Sequence, residues 1–257
     1  MKPRTLIVRT AGTNCDAELA HAFELAGASA DRVHLNRLIE SPHLLNEYDL
    51  LGIPGGFSYG DDIAAGRIFA GRLRHRLYAA LRGFIVEGKP VIGICNGFQL
   101  LVKAGLLPGF ELPDERPPGQ IATLADNAHP RFIDRWVPVR TEPDSGCIWT
   151  RGLDAFELPI AHGEGRFVAP DEVLDQLDSQ RQVALRYSKG ANPNGSMRDI
   201  AGICDPTGLV LGLMPHPERF VHPTQHPTWT RRKPEPAGLR FFTNAVQYVT
   251  TATVTPA

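Results

Sequence analysis

Residues Gly93-Ile94-Cys95-Asn96-Gly97 set a cysteine between two glycines, with the apolar, β-branched Val91, Ile92 and Ile94 before it. Phe98, Leu101, Val102 and the small Ala104 follow at helical spacing. A strand that enters a helix through such a turn is a nucleophile elbow: small flanking residues permit a strained turn, which lifts the nucleophile above the sheet edge. The helix N-terminus beneath supplies unpaired N–H groups and a positive dipole end, and both favour thiolate over thiol. Alone, Gly-x-Cys-x-Gly does not separate a nucleophile from a core cysteine, since free cysteines are among the most buried residues. The strand and helix on either side favour the nucleophile.

A thiolate nucleophile needs a base, and the base needs a group to orient it. Met214-Pro215-His216-Pro217-Glu218-Arg219 offers both immediately after the apolar run 209–213, which places His216 at the same strand edge as Cys95. Glu218, two residues on, is close enough to hold the imidazole from behind. The third requirement is a set of donors for an oxyanion. The N–H of Asn96, just after the nucleophile, is one. Gly55 or Gly56 supplies another, because backbone without a side chain can approach a substrate closely. An incidental surface histidine and an ordinary glycine turn would fit each of these stretches in isolation.

The elements that must position these groups are strands alternating with helices. Residues 5–8 read as a strand that ends in the polar loop Thr10-Ala-Gly-Thr-Asn-Cys-Asp16. Asp16 is placed to cap a helix carrying Leu19, Phe23 and Ala26 and stopping at Gly27. Residues 33–35 and 50–53 read as further strands, the latter ending at Pro54-Gly55-Gly56, and 71–87 reads as one helix leading to the elbow strand. This alternation predicts an α/β fold with a doubly wound, mostly parallel sheet, whose ligands lie beyond the carboxyl ends of the strands. From 105 to about 160 proline and charge become frequent, and the stretch reads as an irregular, β-containing excursion within one domain spanning 1–257. Helix and strand signals resume at 171–177 and 183–187. Segments 200–204 and 209–214 flank a hairpin turn at Asp205-Pro-Thr-Gly208. Residues 220–236 read as a surface loop and 238–249 as a final helix.

Taken together, the motifs are similar to class I (triad) glutamine amidotransferases. Gly93-Ile-Cys95-Asn-Gly97-Phe-Gln99, Pro54-Gly-Gly56 and His216-Pro-Glu218 carry that likeness. Gly12-Thr-Asn-Cys-Asp16, Pro54-Gly-Gly-Phe-Ser-Tyr-Gly-Asp61, Ala161-His-Gly-Glu-Gly-Arg166, Asn192-Pro-Asn-Gly-Ser196 and Met214-Pro-His-Pro-Glu-Arg219 further resemble the subfamily of glutaminase subunits of phosphoribosylformylglycinamidine synthase. The likeness extends from about residue 6 to 249. It implies flavodoxin-like layering, with Cys95 attacking the side-chain amide of L-glutamine, His216 protonating the departing ammonia and Glu218 orienting His216. It also implies a glutamine pocket lined by Gln99, His162, Gly163 and Glu164, the Glu164 carboxylate meeting the substrate ammonium. The ammonia would feed the ATP-dependent conversion of formylglycinamide ribonucleotide to formylglycinamidine ribonucleotide. That implies a synthetase subunit (PurL), holding ATP and Mg, and a small bridging subunit (PurS), with no cofactor intrinsic to this chain. Loops 12–16 and 58–62 are the expected docking surface, with 229–233 a weaker candidate. One departure is Ala11, where this family usually has proline.

Composition agrees with such a protein. The 257 residues are 42% hydrophobic and carry a formal net charge of -1, a balance that argues against nucleic-acid binding. The sequence shows no apolar run long enough for a bilayer and no phosphate-binding Gly-x-x-x-x-Gly-Lys-Ser/Thr motif, and it predicts a cytoplasmic protein without membrane contact. Cys15, Cys147 and Cys204 sit in no elbow and read as structural. His222 and His226 have ligand-like spacing, but a proline follows each and no cysteine or carboxylate cluster is adjacent, so no metal is expected. Three other readings stand beside this one: a glutaminase serving a different ammonia-using synthetase, a non-catalytic module of the same fold, and a peptidase or chaperone with the same elbow. The first leaves the triad unchanged, the second predicts a missing triad member, and the third lacks the His-Pro-Glu turn.

Overall fold

The computed structural model describes residues 2–61, 66–114 and 116–252. Its frame is a nine-stranded sheet. The first half comprises β1 (Arg4–Arg9), β2 (Ser29–His34), β3 (Leu50–Ile53) and β4 (Val91–Ile94). Between them run α1 (Asp16–Leu25), α2 (Leu35–Glu40), α3 (Arg67–Arg76) and α4 (Tyr78–Val86), and α5 (Asn96–Ala104) follows β4. The second half brings β5 (Thr123–Asp126), β6 (Ile133–Thr141), β7 (Ala155–His162), β8 (Glu164–Val168), α6 (Asp171–Ser179), β9 (Val183–Tyr187), β10 (Ile200–Cys204), β11 (Val210–Leu213) and α7 (Ala237–Ala252).

The strand order is β2-β1-β3-β4-β11-β10-β9-β6-β7, with a separate β5-β8 ribbon. From β2 to β11 the pairs are parallel. From β11 outward to β7 they are antiparallel. Strands β3, β4 and β11 are buried throughout, as the centre of a sheet covered on both faces requires. Gly52 on β3 faces Leu19 and Phe23 of α1, whereas its neighbour Ile53 meets Gly97 of α5. Because side chains alternate along a strand, α1 and α5 cover opposite faces. Helix α7 packs beside α1, and α3 beside α5. The expected α/β layering is therefore present, extended on one side by an antiparallel flank.

Several local expectations change. Asp16 is the first residue of α1 and not its cap; Cys15 takes that position without a side-chain capping bond, while Asp16 pairs with Arg9 and Arg32 at 3.6 and 3.4 Å. Strand β2 stops at His34, whose Nδ1 accepts the Asn36 N–H and starts α2, so Leu35 is helical. The helix expected over 71–87 is two helices broken at Leu77. Apolar spacing runs unbroken across the break, which hides it. Arg74, His75 and Arg76 mark it instead, since cations are favoured at a helix C-terminus. The stretch from 105 to 160 holds two strands of the main sheet, β6 and β7. Pro159 masks β7 in sequence, and is tolerated because β7 is an edge strand. His226 in the 220–236 loop is buried against Trp136 and Phe220 and bonds Glu157, so that loop is anchored to the flank. Among the described residues no helix is long and apolar enough to cross a membrane.

Candidate active site

Strand β4 ends in Cys95, whose φ of 53° and ψ of -107° are strained for a residue with a side chain. Its N–H donates to Leu213 O of β11 at 2.8 Å, which ties the elbow to the neighbouring strand end. The flanking glycines are steric necessities. A Cβ on Gly97 would stand 2.0 Å from Ile53 O, and one on Gly93 would stand 2.6 Å from Gly97 O. The sulfur emerges at the carboxyl edge of the parallel strands, 3.7 Å from Ala161 O.

His216 leaves the end of β11, held by its N–H to Pro159 O at 2.8 Å. Its Nδ1 lies 2.7 Å from Glu218 Oε1, and both residues are almost fully buried. That bond puts the Nδ1 proton on the carboxylate side and leaves Nε2, which has no hydrogen-bond partner among the described residues, for the thiol side. Burial opposes a charge on this imidazole. The Glu218 carboxylate and Cys95 outweigh burial and hold His216 well above the ordinary histidine range. The site thus brings together a strained thiol, an imidazole and a carboxylate.

Cys95 and His216 open into a cleft of about 430 Å³. Gly56, Gln99, His162, Gly163 and Glu164 line it as well. Glu218 stands behind His216, and Gly55 and Asn96 stand behind the wall, outside that lining. The Asn96 N–H lies in the first turn of α5, where no intrahelical carbonyl reaches it. Gly55 O accepts the N–H groups of Asn14 and Cys15, which fixes the turn between β3 and the 12–16 loop. Gln99 does not offer its carboxamide to the cleft. Its Nε2 donates to Glu164 O at 2.5 Å and its Oε1 accepts from Asn96 Nδ2 at 2.9 Å. It therefore fixes the wall on which Glu164 stands.

Three functional features escape a reading of the sequence alone. Asn127, just after β5, donates through Nδ2 to Arg131 O and His162 O. Its Oδ1 faces His162 Nδ1 at 3.0 Å and accepts the Gly165 N–H. With both amide hydrogens spent on carbonyls, Asn127 presents only an acceptor, so His162 carries its proton on Nδ1. Burial, with His216 nearby, pushes His162 down to about 4, and the ring is neutral at neutral pH. No sequence signal singles out Asn127, which lies in the proline-rich excursion. Second, Phe57 and Phe132, both about half exposed, pair across the cleft mouth with ring centroids 6.1 Å apart. Third, Cys15 lines the cleft with Cys95, and Arg219 donates to its sulfur at 3.1 Å. Its position in the loop after β1, at the strand edge that carries Pro54, is the available clue.

A strained thiol at a strand–helix elbow, with a buried histidine–carboxylate pair beside it, defines a triad thiol enzyme acting on a carbonyl group, on an α/β sheet. The CobB/CobQ-like glutamine amidotransferase domain model matches residues 2–249, and the chain belongs to that family. Among its relatives is the phosphoribosylformylglycinamidine synthase subunit PurQ of Dehalococcoides mccartyi, 46% identical over 96% of this chain and 98% of that protein. The PurQ subunit of Methanococcus maripaludis is 41% identical over 96% and 99%. A chain in the structure of PurLQS from Thermotoga maritima superposes with a TM-score of 0.75 at 33% identity, covering 96% of this chain and 99% of that one.

Proposed function

We propose that the chain is the glutaminase subunit of a phosphoribosylformylglycinamidine synthase. It hydrolyses L-glutamine to glutamate and supplies the ammonia for the formylglycinamidine ribonucleotide step of purine biosynthesis. The observation that carries this reading is the strained Cys95 beside the His216–Glu218 pair, in a chain whose family and full-length relatives are of that kind. Cys95 attacks the γ-carboxamide carbon, and the N–H groups of Asn96, Gly55 and Gly56 are the proposed donors to the oxyanion. The His216 imidazolium protonates the leaving ammonia, so the thioester forms as the C–N bond breaks. His216, now neutral, takes a proton from water, and hydroxide attack on the thioester releases glutamate. Glu218 keeps the Nδ1 proton in place and stabilises the imidazolium. Gln99, His162, Gly163 and Glu164 form the proposed glutamine pocket, with Gln99 acting through the Glu164 backbone.

The chain works with a synthetase subunit of the PurL kind, and we assign the bridging role to a PurS-type subunit. ATP and Mg belong to the synthetase in this reading. Ammonia near neutral pH is mostly ammonium and a poor nucleophile, so a sheltered passage to the second site is chemically useful. Loops 12–16 and 58–62 are the proposed docking surface, with 229–233 second; Asp62 lies outside the described residues. A cytoplasmic setting agrees with four free cysteines. The test is ammonia release from glutamine by the chain alone and with its synthetase and bridging subunits. Cys95→Ser is expected to lower glutamine-dependent turnover by at least roughly 10³-fold while ammonium salts still support the synthetase. Full glutaminase activity without partners, unchanged by them, would overturn the coupled complex. Activity retained by the serine variant would overturn the role of Cys95.

A further inference from the structure

Three groups crowd one face of Gly55. A Cβ there would stand 2.9 Å from His216 Cε1, 3.2 Å from Cys15 Sγ and 3.4 Å from Cys95 Cβ. No side chain separates the two cysteines across that glycine, and both line the same cleft. The Cys15 sulfur also lies within 4.8 Å of a ring nitrogen of His216 and of a Glu218 carboxylate oxygen. Arg219 Nη2 donates to it at 3.1 Å, and Asn14 Oδ1 lies at the same distance. Cys15 is thus a second thiol within the catalytic cluster, and the glutaminase reaction as derived does not use it.

We propose that Cys15 is a resolving thiol for Cys95: when a peroxide oxidises the nucleophile, Cys15 captures it as a reversible Cys15–Cys95 disulfide. The inference rests on Cys95 being the reactive thiolate of the proposed glutaminase. In the first step Cys95 Sγ attacks one oxygen of hydrogen peroxide. The O–O bond breaks, an S–O bond forms, and the other oxygen takes a proton from His216 and leaves as water. Cys95 is then a neutral sulfenic acid and His216 a neutral base. His216 removes the proton of Cys15, and Arg219 stabilises the resulting thiolate. The Cys15 sulfur attacks the Cys95 sulfur, the S–S bond forms and the S–O bond breaks. Hydroxide takes the proton back from His216 and leaves as water. Two thiols are oxidised, and one peroxide is reduced to two waters.

The order of events follows from the surroundings of the two sulfurs. Burial pushes the Cys15 thiol up, so it stays protonated until a neighbouring base is freed. Oxidation of Cys95 frees that base. Gly55 places no Cβ between the two cysteines as the disulfide closes. The product blocks glutamine hydrolysis and keeps Cys95 from the irreversible sulfinic and sulfonic acids.

The test exposes the reduced full-length chain to hydrogen peroxide, alkylates the remaining thiols and maps the digest by mass spectrometry. The expected result is a Cys15–Cys95 linked peptide lighter by two hydrogens, with Cys147 and Cys204 alkylated. Glutaminase activity is lost in step with the link and returns with dithiothreitol. Cys15→Ser and Cys15→Ala, each normalised to its own activity before oxidation, lose activity that dithiothreitol does not restore. The inference is overturned if Cys95 passes to the sulfinic acid without a linked peptide, if it stays reduced, or if the link joins only Cys147 and Cys204. Recovery in the Cys15 variants equal to the native chain overturns it too. A chain with no glutaminase activity before oxidation even in the presence of its synthetase and bridging subunits contradicts the proposed function instead, and the linked peptide still decides this inference.

Discussion

At the scale of single residues, the charge states of two histidines are set in opposite directions by what touches them. His216 is held well above the ordinary range because Glu218 and Cys95 overcome its burial. Glu218→Gln removes the carboxylate charge, so the His216 value should fall. The alkaline limb of the pH profile of glutaminase kcat/KM is then expected to move to lower pH, with activity at the optimum down by roughly 10²- to 10⁴-fold. An alkaline limb left in place would show that the carboxylate does not support the imidazolium. His162 is pushed the other way, from 6.5 to about 4. Between those values the unfolded chain binds a proton that the native chain refuses, so this group's effect on stability is lost as pH falls through that window. His162→Gln removes this term. Relative to the variant, the native chain is expected to lose up to about 3 kcal/mol between neutral pH and pH ~4. Urea unfolding of both proteins across that range measures the difference, and parallel curves would refute the buried, neutral assignment.

At the scale of elements, glycines with similar sequence surroundings have opposite meanings. Gly97 lies in the first turn of α5, and a Cβ there would meet the Ile53 carbonyl at 2.0 Å. Gly97→Ala must push the elbow helix off β3 and is expected to cost at least about 3 kcal/mol, with the loss of glutaminase activity. Gly83, inside α4, has open space where a Cβ would stand, with nothing within 4 Å. Gly83→Ala gains helix propensity without a clash and is expected to stabilise by about 0.5–1 kcal/mol. Thermal melts of the two variants should move in opposite directions. A shift of the same sign in both would mean that helix propensity, and not close approach, governs the elbow.

At the scale of the whole molecule, the antiparallel flank completes the parallel sheet at the site. β7 and the turn after it bring Ala161 and His162 to Cys95, and Pro159 of the same strand holds His216. We therefore expect the described residues to unfold as one cooperative unit. Trp136 lies in β6 of the flank and Trp229 in the loop anchored to it, whereas Trp149 packs on Phe23 of α1, so a Trp149→Phe chain reports the flank by fluorescence while far-UV circular dichroism reports the helices of both halves. Denaturant unfolding followed by the two signals is expected to give coincident curves. An earlier fluorescence transition would mean that the flank unfolds as a separate unit.

The local chemistry of this protein is legible because it is written in contiguous residues. Gly93 to Gly97 require a tight strand-to-helix turn whatever lies around them, and His216 and Glu218 are close enough in sequence to pair across one turn. Strand and helix periodicity likewise follows from burial on one face or two, and it locates the parallel half of the sheet. Tertiary structure decides what depends on approach between distant segments. Asn127 reaches His162 across 35 residues, Gln99 reaches the Glu164 backbone across 65, and Arg219 reaches Cys15 across 204. Asn127 and Cys15 sit in irregular stretches, where no periodicity announces what the side chain meets, and Gln99 and Glu164 lie in two regular elements far apart in sequence. Cys15 is the sharpest case: its own surroundings in sequence read as a polar loop after a strand. Only the parallel placement of β1, β3 and β4 brings that loop, the Pro54 turn and the elbow to one edge, where a glycine leaves two sulfurs facing a common histidine.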